Sequence, residues 1–253
     1  MSRQPDDARW PRLPEEAYLL ALASLPQMGP SRLAALVGSR PAAEVWHELR
    51  RAGRAGERGA ARDRAGTAVE QLSAGWARAA DRIDVADLWE RHLRAGVEVL
   101  GTGTPGYPDP FLVEEHPPPL VVQRGERCAL EGPRVAIVGT RDCTRYGRDV
   151  AFELGRELAA AGVRVISGLA LGIDGAAHAG ALEARAAPPV AVVGSGLDVV
   201  YPRRNQSLWR AVADVGLLLC EHPLGTAPVA WHFPARNRLI AALADIVVVV
   251  ESH

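Results

Sequence analysis

Between Arg134 and Glu251 one event repeats along the chain: a short aliphatic run ends in a loop of glycines and polar residues. The runs are Val135–Val138, Val163–Ser167, Val190–Val193, Leu217–Cys220 and Ile246–Val250. Helical patterns lie between them, near 145–161, 173–186, 205–214 and 234–243. Runs apolar on both faces belong in a parallel sheet covered by helices on each side. Strands alternating with helices predict an α/β fold, a Rossmann-like, doubly wound and mostly parallel sheet. No other feature constrains the architecture as strongly.

In such a sheet ligands bind outside the carboxyl ends of the strands. The loops there read GTRDCTRYG (139–147), SGLALGIDGAAH (167–178), GSGLDVVYPRRN (194–205) and HFPARNRLI (232–240). Glycine lets main-chain N–H groups approach an anion, and a following helix N-terminus adds partial positive charge. Gly139, Thr140 and Arg141 read as a phosphate cradle or as a tight turn with a solvated arginine, and Thr144 as the N-cap of the next helix. Gly168 and Gly194 end the next two runs, and Arg203, Arg204 and Asn205 place a basic pair at a helix start. Arg236 and Arg238 flank Asn237, which suits either phosphate binding or an internal brace. The dinucleotide fingerprint is absent: the first loop lacks G-x-G-x-x-G and the second strand ends in Ser167-Gly168 rather than an acid. Asp174 and His178 share a helix face and read as a catalytic pair or, without a nucleophile or metal partner, as a pair that caps and positions the loop. Trp209 reads as a base-stacking or a core residue.

With 253 residues the chain has room for two domains, taken as 1–95 and 96–253. No apolar run reaches the roughly 18 residues of a membrane helix, and no secretory leader pattern opens the chain, so a cytoplasmic location without membrane contact is expected. The three cysteines lack C-x-x-C spacing and the seven histidines form no H-x-x-x-H pair, so neither a metal nor another cofactor is expected. Net charge is −1, which argues against a general coat for nucleic acid. The positive field is local instead, in the loop arginines. Every basic residue is arginine, so each phosphate contact would be a planar, potentially bidentate guanidinium.

The upstream part is helical from Pro14 to about Arg50, with a stripe of Leu19, Leu20, Leu22 and Leu25 and a turn within SLPQMGPSRLAAL (24–36). Residues 50–66 hold six Arg and four Gly, read as a solvated loop or as a basic arm. Helical periodicity resumes at Val69–Arg94, with Leu72, Trp76, Ile83, Leu88 and Leu93 as candidate core. Short strands are expected at Val97–Leu100 and Leu120–Gln123, separated by a segment whose six prolines forbid continuous helix.

The series VAIVGTR…YG, VISGLALGIDGAAH, AVVGSGLDVVYPRRN, LLLCEHPLG and FPARNRLIAALAD…VVVES closely resembles the DNA-processing protein A (DprA, or Smf) family over about 120 residues. Upstream, LPQMGPSRL resembles that family's helix-hairpin-helix-like LPGIGPxRL, with Gln27 in place of the first glycine, which marks a small helical (SAM-like) domain. The resemblance implies a protein of natural transformation (competence) that binds single-stranded DNA, protects it and loads RecA recombinase, as a homodimer and without catalysis. It implies that Gly139, Thr140 and Arg141 hold backbone phosphate with Arg203, Arg204 and Asn205. Two other readings share the fold: a nucleotide phosphoribohydrolase and a nucleotide-sensing domain. The hydrolases' PGGxGTxxE string is missing, and nothing names a nucleotide ligand. The resemblance also carries the expectation that the family domain continues past the VVVES strand, so that the chain would stop at His253 within it.

Overall fold

The computed structural model describes residues 13–59 and 68–252. The chain divides into two compact units, Met1–Leu93 and Arg94–His253. In the first lie helices α1 (Glu15–Ala23), α2 (Pro30–Val37), α3 (Ala42–Gly59), α4 (Ala68–Arg82) and α5 (Val85–Arg94). The expected leucine stripe of α1 is buried, together with Leu33 of α2 and Trp46 of α3. Asp84 separates α4 from α5 because its carboxylate accepts the N–H groups of Ala86 and Asp87, ending one helix and starting the next. Leu93 departs from the expected core at 52% exposure, since the adjacent His92 is the residue turned inward. The side chain of Leu72 lies outside the described residues. Residues 50–59, expected in a loop, continue α3, and the rest of that arginine-rich stretch, 60–66, also lies outside the described residues.

The second unit is built on a seven-stranded sheet: β1 (Glu98–Gly101), β2 (Leu120–Gly125), β3 (Arg134–Val138), β4 (Arg164–Ser167), β5 (Val190–Val192), β6 (Leu217–Cys220) and β7 (Ile246–Val249). Their order is β1-β2-β6-β5-β4-β3-β7. The pairs β1–β2 and β2–β6 are antiparallel, and the remaining pairs parallel. Four helices alternate with the parallel strands: α6 (Arg145–Ala160), α7 (Ile173–Ala184), α8 (Gln206–Val215) and α9 (His232–Leu243). Successive strand residues point to opposite faces, so the sheet feeds two cores. Ile137 and Val165 pack with Ala151 and Ala177 beneath α6 and α7. Ala136, Ile166, Val192 and Leu219 pack with Leu239 and Leu243 of α9 and with Phe111. Burial of these aliphatic faces, at about 25 cal/mol per Å², is the main force holding the unit together. Trp209 is in this interior at 3% exposure, as core rather than as a stacking surface.

Parallel strands run outward from β3 in both directions, to β4 on one side and β7 on the other. That reversal of order makes the space between the loops after β3 and β7 the topological switch point.

Candidate functional site

The switch-point crevice is already occupied by a side chain of the protein. After β7, the Glu251 carboxylate accepts the Thr144 N–H at 3.1 Å and the Thr144 hydroxyl at 3.0 Å. Thr144 Oγ1 in turn accepts the Gly147 N–H at 3.0 Å, the N-cap expected for α6. The Glu251 main-chain oxygen accepts the Thr140 N–H at 2.8 Å, and the Thr140 carbonyl accepts the Ile173 N–H at 3.3 Å. A helix N-terminus attracts an anion, and here the chain supplies its own. Gly139 serves this closure: a β-carbon there would lie 2.7 Å from the Glu251 oxygen and 2.7 Å from Ile173 Cγ1. Gly172, at φ +77, caps α7 so close to the Thr140 and Arg141 carbonyls that a β-carbon would collide with them. The first loop is thus clamped from two sides and hands Arg141 to solvent.

The open surface lies beside the crevice. A cleft of about 710 Å³ runs between α6, α7 and α8, lined by Arg141, Arg148, Gly172, Gly175, Arg204 and Asn205. Asp142 and Asp149 also border it, and Asp149 is answered by Arg145 at 3.8 Å. Arg203 is exposed on the same 3-10 turn, Arg203–Asn205, that carries Arg204. The Arg141 guanidinium carbon stands 5.0 Å from the centre of the Phe233 ring. That contact restrains the side chain while leaving its N–H edge for an external acceptor.

Other candidate residues turn out to frame the site rather than face outward. Arg236 is 5% exposed and donates to the Gly168 carbonyl at 2.9 Å and to the Val192 carbonyl, with the Asp174 carboxylate 3.9 Å away. Asp174 also accepts the Gly168 N–H at 3.1 Å. The expectation that Arg236 grips phosphate is corrected on this geometry: a guanidinium buried against two carbonyls and a carboxylate has no edge free for an outside anion. Gly168 likewise faces no ligand, because a β-carbon there would overlap the Arg236 guanidinium. Gly194 is covered by His232 and Phe233, with His232 Nδ1 3.0 Å from its carbonyl. Asn205 spends both amide hydrogens on the carbonyls of Leu169 and Ala170, each at 2.9 Å. It holds the Leu169 main chain in its left-handed turn at φ +53. Arg238 pairs with Glu221 and donates to the His116 carbonyl at 3.0 Å. Burial pushes the Glu221 carboxyl up to about 7, against the opposing pull of Arg238.

Asp174 and His178 are buried on the inner side of α7. Burial raises the Asp174 carboxyl above the usual carboxylate range, against the pull of Arg236, and lowers His178 to about 4, so the ring stays neutral. Of the expected anion contacts, the structure therefore brings Arg141, Arg203 and Arg204 to an exposed rim. It adds Arg148, whose position one turn into α6 was the available signal. Glu251 carried no local signal, since its role rests on a contact 107 residues away. Among the described residues no group of three or more His, Cys, Asp or Glu side chains is placed to hold a metal ion, and no helix is long and apolar enough to cross a membrane.

Residues 98–253 match the family model of DNA recombination-mediator protein A. The chain is 37% identical over 157 residues to DNA processing protein DprA of Bacillus subtilis, covering 62% of this chain and 52% of that protein. With DprA of Streptococcus pneumoniae it shares 41% identity over 139 residues, 53% of this chain and 47% of that one. The chain thus spans about half the length of the curated relatives it matches. The X-ray structure of the Streptococcus pneumoniae protein superposes with a TM-score of 0.68 at 28% identity, covering 94% of this chain and 77% of that chain. A Helicobacter pylori DNA processing protein A, solved for its single-stranded DNA binding mode, superposes with a TM-score of 0.56 at 33% identity, covering 62% of this chain and 69% of that one.

Proposed function

The chain belongs to the DNA recombination-mediator protein A family, and from that premise we propose that it binds single-stranded DNA through the backbone phosphates. The observation that carries this reading is the convergence of Arg141, Arg148 and Arg204 on one open cleft at the carboxyl ends of the strands. Arg203 extends the row. Arginines gathered on a cleft grip phosphate rather than base edges, so affinity comes from phosphate charge, tolerates any sequence and falls with salt. Asp174, His178 and Arg236 form the frame behind the cleft, which supports binding rather than catalysis. The family further supports a cytoplasmic homodimer that protects incoming DNA during natural transformation and passes it to RecA recombinase.

The test is binding of fluorescent oligonucleotides, single- and double-stranded, across a salt series. The single strand is expected to bind more tightly, and Arg141→Ala and Arg204→Ala each to lower the salt slope by about one counterion. Arg238→Ala is expected to leave that slope unchanged. Equal or tighter duplex binding at moderate salt, or an unchanged slope for Arg141→Ala, would overturn the reading.

A further inference from the structure

The loops that follow the strands gather arginines at one pole of the sheet, and the opposite pole holds a groove of different character. It measures about 620 Å³ and opens where α7 and α8 end and β5 and β6 begin. Leu182 of α7, Pro188, and Ala211 and Val215 of α8 form its apolar floor. Val215 is 54% exposed, an aliphatic side chain left in contact with water at the last position of its helix. The charged groups on the rim are Glu126, Asp214 and Arg185. None of the three side chains has a partner among the described residues. Arg185 closes α7 in a left-handed turn at φ +56, where its cation answers the partial negative charge of that helix end. The end of α8 and both carboxylates are left unanswered, so the rim is negative on balance.

An apolar surface left in water and rimmed by unpaired charge marks a recognition site. The carboxylates repel phosphate, whereas an arginine or lysine would find acceptors for its head and an apolar bed for its stem. We propose that this groove docks a protein partner through an apolar segment that carries a basic residue. The groove lies at the far end of α7 and α8 from the arginine cleft, which borders their first turns. One helix separates the two sites, and the 10 residues of α8 span about 15 Å at 1.5 Å per residue. A strand on the cleft and a partner in the groove therefore do not compete for surface, and the inference stands apart from the DNA-binding reading.

The probe is a short labelled helical peptide of leucine, alanine and arginine, with a twin in which glutamate replaces arginine, each titrated with the full chain by fluorescence anisotropy. The arginine peptide is expected to bind about 10-fold more tightly than its twin, because the rim attracts one and repels the other. Asp214→Lys should remove that preference, and Val215→Ser should weaken the arginine peptide severalfold while keeping it. Both positions are exposed, so neither change disturbs the fold. Glu115→Lys makes the same charge change on an exposed carboxylate outside the groove and is expected to leave binding as in the parent. Equal binding of the two peptides, or no binding of either, overturns the proposal and leaves the DNA reading standing. Equal weakening by Glu115→Lys and Asp214→Lys, or no effect of Val215→Ser, reduces the attraction to surface charge and overturns it as well.

Discussion

The carboxylate of Glu251 sits on the N-terminus of α6 through Thr144, whose N–H and hydroxyl both donate to it. Two hydrogen bonds to a charged acceptor tie the end of β7 to the loop after β3. Glu251→Ala removes both bonds and opens the cap of α6. Each charge-assisted bond is worth about 1.5–3 kcal/mol, reduced here by partial exposure, so the expected loss of stability is about 1–2 kcal/mol in urea melts. A loss confined to a few tenths would show that solvent replaces the clamp.

Gly168→Ala is expected to be far more damaging than an ordinary change at a strand end. The added methyl would displace Arg236 from its carbonyls and from Asp174. Breaking up a buried charged pair costs about 3–5 kcal/mol. Guanidinium denaturation within 1 kcal/mol of the parent would mean that Arg236 has a second resting place.

Acid should destabilise the fold through its buried histidines. Burial, aided by the stacked His232, holds His222 down at about 4, whereas an unfolded histidine titrates near 6.5. The unfolded chain therefore takes up a proton that the folded one refuses. The contribution of the neutral ring is complete above the unfolded value and is lost as pH falls from there toward 4. Glu221, raised to about 7, works in the opposite direction over part of that range, so the informative quantity is a difference between variants. His222→Phe should flatten the pH dependence of stability by about 1.4 kcal/mol per pH unit between roughly 4.5 and 6.5. Parallel curves for parent and variant would refute the assignment.

Gln27 holds the left-handed conformation of a glycine, at φ +57, on an exposed turn between α1 and α2. A side chain there costs roughly 1–2 kcal/mol, while glycine gives part of that back through the freedom of the unfolded chain. Gln27→Gly is accordingly expected to stabilise the helical unit by about 0.5–1 kcal/mol, measured as a higher melting midpoint. A lower midpoint would mean that the glutamine side chain makes a compensating contact.

The strands were legible because aliphatic runs such as Leu217–Cys220 are short, apolar on both faces and bounded by glycine or charge. Thr144 was legible as a cap for the same local reason. What sequence could not separate was an arginine that faces solvent from one that faces inward. Arg141 and Arg236 both follow a strand of the parallel sheet, yet Asp174 and the Gly168 and Val192 carbonyls, contributed by other segments, decide that Arg236 is buried. The same limit hid Glu251 and made Gly168, Gly194 and Asn205 look like ligand contacts when they are the supports beneath them. Leu93 shows it in a helix, where periodicity located the stripe but not which of two neighbouring residues would point inward.

The clamp of Glu251 on Thr144 spans 107 residues of chain, and β7, which delivers it, pairs only with β3 among the described strands. During synthesis the loop after β3 therefore leaves the ribosome long before the residue that fastens it. The arginine-bearing loop stays unfastened until β7 docks on β3. The clamp on this rim is thus set late, when β7 docks, and a nascent chain with β7 still undocked presents its arginines without the frame that aims them.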